Sequence, residues 1–322
     1  MGLFSKSKKI ICSGDSYTDN YRAGNVGTKP PYQVWPNFLG NKFEKDNYFI
    51  PSRDLINVGS SGAGNYEIYS RTLDTICNNE NIGLVIVMWS EFPRTDFEID
   101  LRKIKRKDMK GHLSEARLYK GNSNWPVYYE NMNPQRVLYD KRKGLIKITA
   151  DGKKVETEDW KYKLSYIFDY KNIQQNYSGI NAFMRYTYSI QSICELQNIP
   201  LIQIMGPEPV MNDGVYYPEG ENISGHRRFH KNWHQACLMF LEHSMLNKIK
   251  NNFVGWPIFK EIGGFCVDDL IRENDSKWNG KRGSNWPSDF RISEEDSHPN
   301  TKGHKFIGEY LYEQCKHLYP DS

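Results

Sequence analysis

The segment 82-IGLVIVMW-89 is an almost unbroken apolar run. A strand that helices cover on both faces has this composition, because neither face needs the polar residues that contact with water favours. The run is far shorter than the roughly 20 apolar residues of a membrane-spanning helix, and no other segment approaches that length. Residues 82–89 are therefore predicted to form a buried strand of a parallel sheet.

Similar apolar runs alternate with helical patterns on both sides of this strand. The other predicted strands are residues 9–12, 54–59, 199–206 and a short one within 253–259. Helices are predicted at residues 66–77, 178–198, 228–251 and 300–318. This alternation predicts an α/β fold with a doubly wound, mainly parallel sheet flanked by helices, arranged as a flavodoxin-like three-layer sandwich.

Residues 93–176 interrupt the alternation and are mostly polar. Within them, residues 137–156 resemble a β-hairpin with Asp151-Gly152 near its turn. The sequence predicts a single domain over residues 1–322, in which this insertion forms a lid or a substrate platform.

Composition and charge exclude several classes of protein. Charged residues make up 25% of the chain and the net charge is only +4, so nothing argues for a nucleic-acid partner. The six cysteines are scattered without a C-x-x-C spacing, which is typical of buried thiols in a reduced chain. The first residues lack the apolar stretch of a signal peptide. We expect a soluble protein without a membrane partner, cytoplasmic as synthesised.

Three short motifs fall at the ends of predicted strands or before the last helix. Gly14-Asp15-Ser16 follows the first strand, 57-NVGSSGAGN-65 follows the second, and 294-EEDSHPNTKGH-304 precedes the final helix. In a doubly wound sheet, active groups lie on the loops beyond the carboxyl ends of the strands. Each motif is weak by itself, but their order along one sheet predicts that they meet at one site.

These motifs resemble the blocks of the SGNH/GDSL-type hydrolases. That family places its serine in Gly-Asp-Ser, as at Ser16, and its acid and histidine in a last block such as 296-DSHPN-300. Its second block, Asn-x-x-x-x-Gly, matches residues 57–62 and assigns an oxyanion-binding N–H to Gly62. The resemblance implies a Ser16–His298–Asp296 triad, with the backbone N–H groups of Ser16 and Gly62 facing the oxyanion.

The chain departs from the family at the third block, which usually offers an asparagine amide to the oxyanion. Here the corresponding residues are 88-MWSEFPR-94, without an asparagine. The Ser90 hydroxyl or the Asn65 amide could replace the missing donor, and Arg94 could reach the site as a cation. Asn65 is equally well explained as a turn residue.

The spacing of the last block is a second departure. The commonest arrangement in the family puts the acid three residues before the histidine, which would select Glu295. Relatives that modify O-acetyl groups on polysaccharides use Asp-x-His, which selects Asp296, and we expect Asp296 to be the acid. Asp15 and Asp19 are expected to anchor the serine turn or to cap a helix.

A second candidate site, which would bind a metal, consists of three histidines whose spacing would place them on one face of a helix: His226, His230 and His234. Paired histidines at this spacing can bind zinc, but no glutamate stands between them as in H-E-x-x-H. We therefore expect no metal and no cofactor.

The resemblance implies a serine esterase that works through an acyl-enzyme and needs no cofactor. Its substrate would be a small-molecule or polysaccharide ester, because aromatic residues reach 14% and aromatic rings can stack on sugars. O-acetyl groups on a carbohydrate fit best. The alternatives are an O-acyltransferase, in which an alcohol replaces water, and a catalytically poor carbohydrate-binding or structural protein that keeps the fold.

Overall fold

The computed structural model describes residues 8–19, 33–46, 49–92, 94–100, 118–120, 126–132, 146–148, 154–156, 174–210, 234–249, 252–278, 287–293 and 296–319. Within them lies a parallel sheet built from β1 (Lys9–Ser13), β2 (Leu55–Asn57), β3 (Ile82–Trp89) and two later strands. Those later strands are β9 (Leu201–Met205) and β10 (Phe253–Val254).

The strands lie in the order β2-β1-β3-β9-β10, and every neighbouring pair is parallel. Counted along the chain, this is the 2-1-3-4-5 order of flavodoxin-like folds. The predicted fold class is confirmed. The order reverses between β1 and β3, so the loops after these two strands border the crevice where such folds place their ligands.

Helices connect the strands. They are α1 (Trp35–Asp46), α2 (Pro51–Asp54), α3 (Asn65–Asn78), α4 (Gln174–Leu196), α5 (residues 234–241), α6 (Val267–Asn274) and α7 (Thr301–Cys315). The start of α7 is fixed by its N-cap, because the Asn300 side chain accepts a hydrogen bond from the Gly303 N–H at 3.0 Å. None of the helices in the described ranges is long and apolar enough to cross a membrane.

The core has two halves, one on each face of the sheet. Successive side chains of a strand point to opposite faces, and β3 supplies both halves because it is apolar throughout. Val85, Val87 and Trp89 join a cluster with residues of α3, α4 and α5. Leu84 and Ile86 join a second cluster with residues of α1, α6 and α7. This explains the unbroken apolar run on which the fold prediction rests.

The region between β3 and α4 contains short antiparallel strands. They are β4 (Thr95–Asp100), β5 (Leu118–Lys120), β6 (Pro126–Met132), β7 (Ile146–Ile148) and β8 (Lys154–Glu156). β7 pairs with β8 as the predicted hairpin requires, while Asp151 and Gly152 lie outside the described residues.

The helix predicted over residues 228–251 ends earlier in the structure. Residues 228–233 lie outside the described ranges, and α5 ends at residue 241. The His243 ring then accepts the Met245 N–H at 3.1 Å, so this donor does not continue the helical pattern. A short 3₁₀ turn at Leu246–Lys248 follows.

Candidate active site

Ser16 lies in a tight turn immediately after β1 and is 6% exposed. The turn is closed by Asp15, whose carboxylate accepts the Tyr17 N–H at 2.9 Å and whose carbonyl accepts the Thr18 N–H at 2.9 Å. Gly14 is required here, because a Cβ atom would lie 2.2 Å from Thr18 Oγ1 and 3.0 Å from the Met88 carbonyl oxygen. The turn therefore holds the serine at the carboxyl end of the sheet.

Asp296 and His298 lie on a loop that leads into α7. Backbone pairing brings the two sides of this loop together. Arg291 forms an antiparallel β-bridge with Pro299, and the Ile292 N–H donates to the His298 carbonyl at 2.9 Å. Asn300 closes its base by donating to the Arg291 carbonyl at 2.8 Å. Backbone bonds on both sides thus fix the position of the histidine.

The two loops meet through side chains that are 282 residues apart in the sequence. Ser16 Oγ lies 2.8 Å from His298 Nε2, and His298 Nδ1 lies 2.5 Å from Asp296 Oδ1. The same Asp296 oxygen accepts the His298 backbone N–H at 3.1 Å. The side chains of His298 and Asp296 are 21% and 29% exposed, so solvent reaches both of these residues.

The glycine-rich segment after β2 packs directly against the serine turn. Asn57 donates to the Thr18 carbonyl at 2.7 Å, and the Ser61 N–H donates to Asp19 Oδ2 at 2.8 Å. Gly62 has a φ of +82°, a conformation that side-chain-bearing residues rarely adopt. Within the described part of the chain, the N–H groups of Ser16 and Gly62 donate to no acceptor.

Ser90 and Asn65 are committed to contacts within the protein. The Ser90 hydroxyl donates to Asp15 Oδ2 at 2.8 Å, and both residues are fully buried. The Asn65 amide donates to the Ser90 carbonyl at 3.0 Å and accepts the Ser90 N–H at 2.9 Å. Asn65 thus connects the start of α3 to the residue after β3, and Ser90 connects that residue to the Asp15 carboxylate.

Arg94 lies behind the same turn. Its Nε donates to Glu91 Oε2 at 2.8 Å, and its Nη1 lies 3.5 Å from Asp15 Oδ2 and 3.3 Å from the Ala63 carbonyl. Burial alone would lower the pKa of this guanidinium, but Glu91 and Asp15 raise it, so Arg94 remains charged. It balances the buried carboxylate of Asp15.

Other candidates from the sequence are not brought to this site by the described residues. Glu295, His226 and His230 lie outside the described ranges, and His234 is exposed at the start of α5. No group of three or more His, Cys, Asp or Glu side chains within those ranges is arranged to hold a metal ion. Burial, and then the nearby His298, lower the pKa of His304 to about 3, so it stays neutral behind the site.

The structure adds one group of residues that the sequence analysis does not identify. Asp268, at the start of α6, accepts hydrogen bonds from the Tyr17 hydroxyl at 2.9 Å and from Arg291 at 3.2 Å. Tyr17 follows Ser16, and Arg291 lies in the loop of His298. No sequence pattern relates residue 268 to residues 17 and 291, so the sequence offers no signal for this group.

Comparisons with known proteins were made for the whole chain. No family model matches it, and no curated protein matches it. Among the matching solved structures is an acetyl xylan esterase, AlAXEase, with 12% sequence identity and a TM-score of 0.33. That match covers 95% of this chain and 98% of the other. At this identity and TM-score, the match assigns neither a family nor an activity to this chain.

Proposed function

We propose that this protein is a serine esterase that cleaves an ester, namely an O-acetyl group on a carbohydrate. The observation that carries the proposal is the 2.8 Å contact from Ser16 Oγ to His298 Nε2, continued by the 2.5 Å contact from His298 Nδ1 to Asp296. A serine is a weak nucleophile unless a base lies within hydrogen-bonding distance and a third group orients that base. These three side chains satisfy both conditions.

The reaction follows from this order of contacts. His298 takes the proton of the Ser16 hydroxyl as Oγ attacks the ester carbonyl, and returns it to the leaving alcohol. Asp296 holds the Nδ1–H tautomer and stabilises the imidazolium. The acyl group is then bonded to Ser16 Oγ until water attacks its carbonyl and gives a proton to His298. The bond from the acyl carbon to Oγ breaks, the carboxylic acid leaves, and His298 returns the proton to Ser16.

The oxyanion would be held by the N–H groups of Ser16 and Gly62. Ser16 lies on the loop after β1, Gly62 lies on the loop after β2 that packs against it, and neither N–H donates to an acceptor among the described residues. The Ser90 hydroxyl and the Asn65 amide, the candidates for a third donor, already bond to Asp15 and to the Ser90 carbonyl. We therefore assign the oxyanion site to two backbone donors.

A carbohydrate ester is the substrate class that the sequence supports best. The Asp-x-His spacing at Asp296 and His298 resembles that of SGNH/GDSL-type enzymes that modify O-acetyl groups on polysaccharides. The insertion at residues 93–176, as a lid or platform over the crevice, and the aromatic content of 14% would suit a sugar chain. An acceptor alcohol in place of water would make the same site an O-acyltransferase.

A second candidate is a carbohydrate-binding protein with little activity. The segment after β3 favours this candidate, because it contains no asparagine to act as an oxyanion donor and because the Ser90 hydroxyl already donates to Asp15. Loss of one oxyanion donor costs about 10²–10³ in kcat in enzymes that depend on it.

The test compares wild type with Ser16→Ala, using p-nitrophenyl acetate and an acetylated xylan, and follows released nitrophenol and acetate. Ser189→Ala is the matched control, because Ser189 is a partly exposed residue of α4 whose hydroxyl donates to the Arg185 carbonyl one turn earlier at 2.7 Å. The esterase predicts turnover in wild type and the control but none in Ser16→Ala, together with labelling of Ser16 by a serine-directed phosphonate. Absence of both turnover and labelling in wild type would instead support the binding protein.

A further inference from the structure

Three buried polar side chains connect the serine turn to the histidine loop from beneath. Tyr17, Asp268 and Arg291 are 4%, 6% and 3% exposed, and they come from three separate parts of the fold. Asp268 Oδ1 accepts the Tyr17 hydroxyl at 2.9 Å and Arg291 Nη2 at 3.2 Å. Its second oxygen accepts the Glu208 N–H at 3.1 Å, which ties the group to the loop after β9.

The group is electrically compatible with burial. A buried carboxylate is costly unless it is paired and hydrogen-bonded, and Asp268 has a cation, a phenol and a backbone N–H as partners. Burial, and then the charge of Asp268, raise the pKa of Tyr17 well above its ordinary value. The phenol therefore keeps its proton and remains a donor to Asp268.

Both partners of Asp268 lie next to the reacting groups. Tyr17 follows Ser16 directly, and its ring meets the His298 ring edge-on with centroids 5.5 Å apart. Arg291 pairs with Pro299, the residue after His298, across the loop. The Asp268 carboxylate thus holds Tyr17, which is adjacent to Ser16, and Arg291, which pairs with the residue after His298.

We propose that Asp268 is a positioning residue for the Ser16–His298 pair, acting through Tyr17 and Arg291. This inference rests on the proposed esterase function. Reacting groups must be held within a fraction of an ångström, and a displacement of about 1 Å can cost about 10²-fold in rate. Asp268 sets the distance between the two loops by fixing one atom of each to a common oxygen.

The test uses Asp268→Asn and Tyr17→Phe in the full-length protein. Each substitution nearly preserves the shape of the side chain. Asp268→Asn removes the charge that pairs with Arg291, and Tyr17→Phe removes the hydroxyl that donates to Asp268. The matched controls are Asp54→Asn and Tyr319→Phe. Asp54 is likewise buried and accepts the Ile50 N–H at 2.9 Å, and the Tyr319 hydroxyl donates to the Lys8 carbonyl at 2.5 Å, far from the serine turn.

Activity is measured at equal folded fraction, which circular dichroism determines. Both site variants are expected to lower kcat for p-nitrophenyl acetate by tenfold or more, with KM changed less than twofold, and to alter the pH profile of kcat/KM. The controls are expected to lose stability but to keep kcat within twofold. Equal losses of kcat in site variants and controls would overturn the proposal.

A second readout does not depend on turnover. We expect the proton between His298 Nδ1 and Asp296 to give a downfield signal in proton NMR, and this signal to shift or broaden in Asp268→Asn and to stay unchanged in Asp54→Asn. If wild type shows no Ser16-dependent turnover, the proposed function fails and this signal alone decides the positioning role. An unchanged signal in Asp268→Asn would refute it.

Discussion

Replacing Ser90 by alanine separates two roles for this residue. As an oxyanion donor, Ser90 would contribute to the transition state, and its loss would lower kcat by about 10²–10³-fold. In the structure its hydroxyl instead donates to Asp15 Oδ2 at 2.8 Å, with both side chains fully buried. A hydrogen bond to a charged group contributes about 1.5–3 kcal/mol to stability. Ser90→Ala should therefore affect stability rather than chemistry.

The loss should fall in the lower half of that range. Arg94 Nη1 lies 3.5 Å from the same Asp15 oxygen and still compensates its charge after the hydroxyl is removed. We expect urea unfolding to show a decrease of about 1.5–2 kcal/mol in the free energy of unfolding. The value of kcat/KM for p-nitrophenyl acetate, corrected for the folded fraction, should fall by less than tenfold.

Ser13→Ala is the control for removing a buried hydroxyl beside the same turn. Ser13 Oγ donates to the Ile68 carbonyl at 3.5 Å, a long and uncharged contact, so its loss should cost less than about 1 kcal/mol. The reasoning would be refuted if Ser90→Ala unfolded at the same urea concentration as wild type while its kcat fell a hundredfold.

Three further changes test the site. Gly62→Ala should lower kcat at least tenfold and cost about 1–2 kcal/mol of stability, because its φ of +82° strains any side-chain-bearing residue and a shift would move its N–H. Asp296→Asn should lower kcat about 10³–10⁴-fold in steady-state assays with a stable fold, since the wrong tautomer of His298 is then favoured. Asp96→Asn should change how stability depends on pH, because burial and then Glu67 raise the pKa of Asp96 from 3.8 to about 7.

The sign of the Asp96 effect follows from its raised pKa. Between about pH 4 and 7 the unfolded chain has lost this proton while the folded chain retains it, so wild type loses stability as pH rises. The stability of Asp96→Asn should not decrease in this way, because asparagine does not titrate. Urea unfolding at several pH values should show the variant gaining on wild type by up to about 1.4 kcal/mol per pH unit in that window. Parallel curves would contradict the assignment.

The other two changes have matched controls. Gly263 has a φ of +91° and nothing within 4 Å of an added Cβ, so Gly263→Ala should cost the same strain without affecting kcat. Glu295→Gln should leave kcat within about threefold if Asp296 is the acid. A large loss in Glu295→Gln with an active Asp296→Asn would reverse the assignment of the acid.

The sheet could be predicted because its evidence is local. β3 occupies Ile82–Trp89, the residues predicted from the apolar run, since burial on both faces leaves a signature in every residue of the strand. Helix ends were less predictable. α5 ends at residue 241 because the His243 ring takes the Met245 N–H, a contact that apolar periodicity does not register.

The proximity of the proposed site residues was predictable only where they belong to a short motif. Ser16 and His298 each stand in one, and the structure brings them to 2.8 Å. The hydrogen-bond partners of Ser90 and Asn65 could not be inferred. The sequence around a serine or an asparagine is the same whether its side chain faces a substrate or another residue such as Asp15. Asp268 was missed for a related reason, since its contacts with Tyr17 and Arg291 join distant parts of the chain.

The 2-1-3-4-5 strand order has a consequence for the newly made protein. Ser16 is synthesised 282 residues before His298, and β1 pairs with two strands, β2 and β3, that both follow it in the chain. The 2.8 Å contact between Ser16 and the His298 ring can therefore form only after the histidine loop has been synthesised.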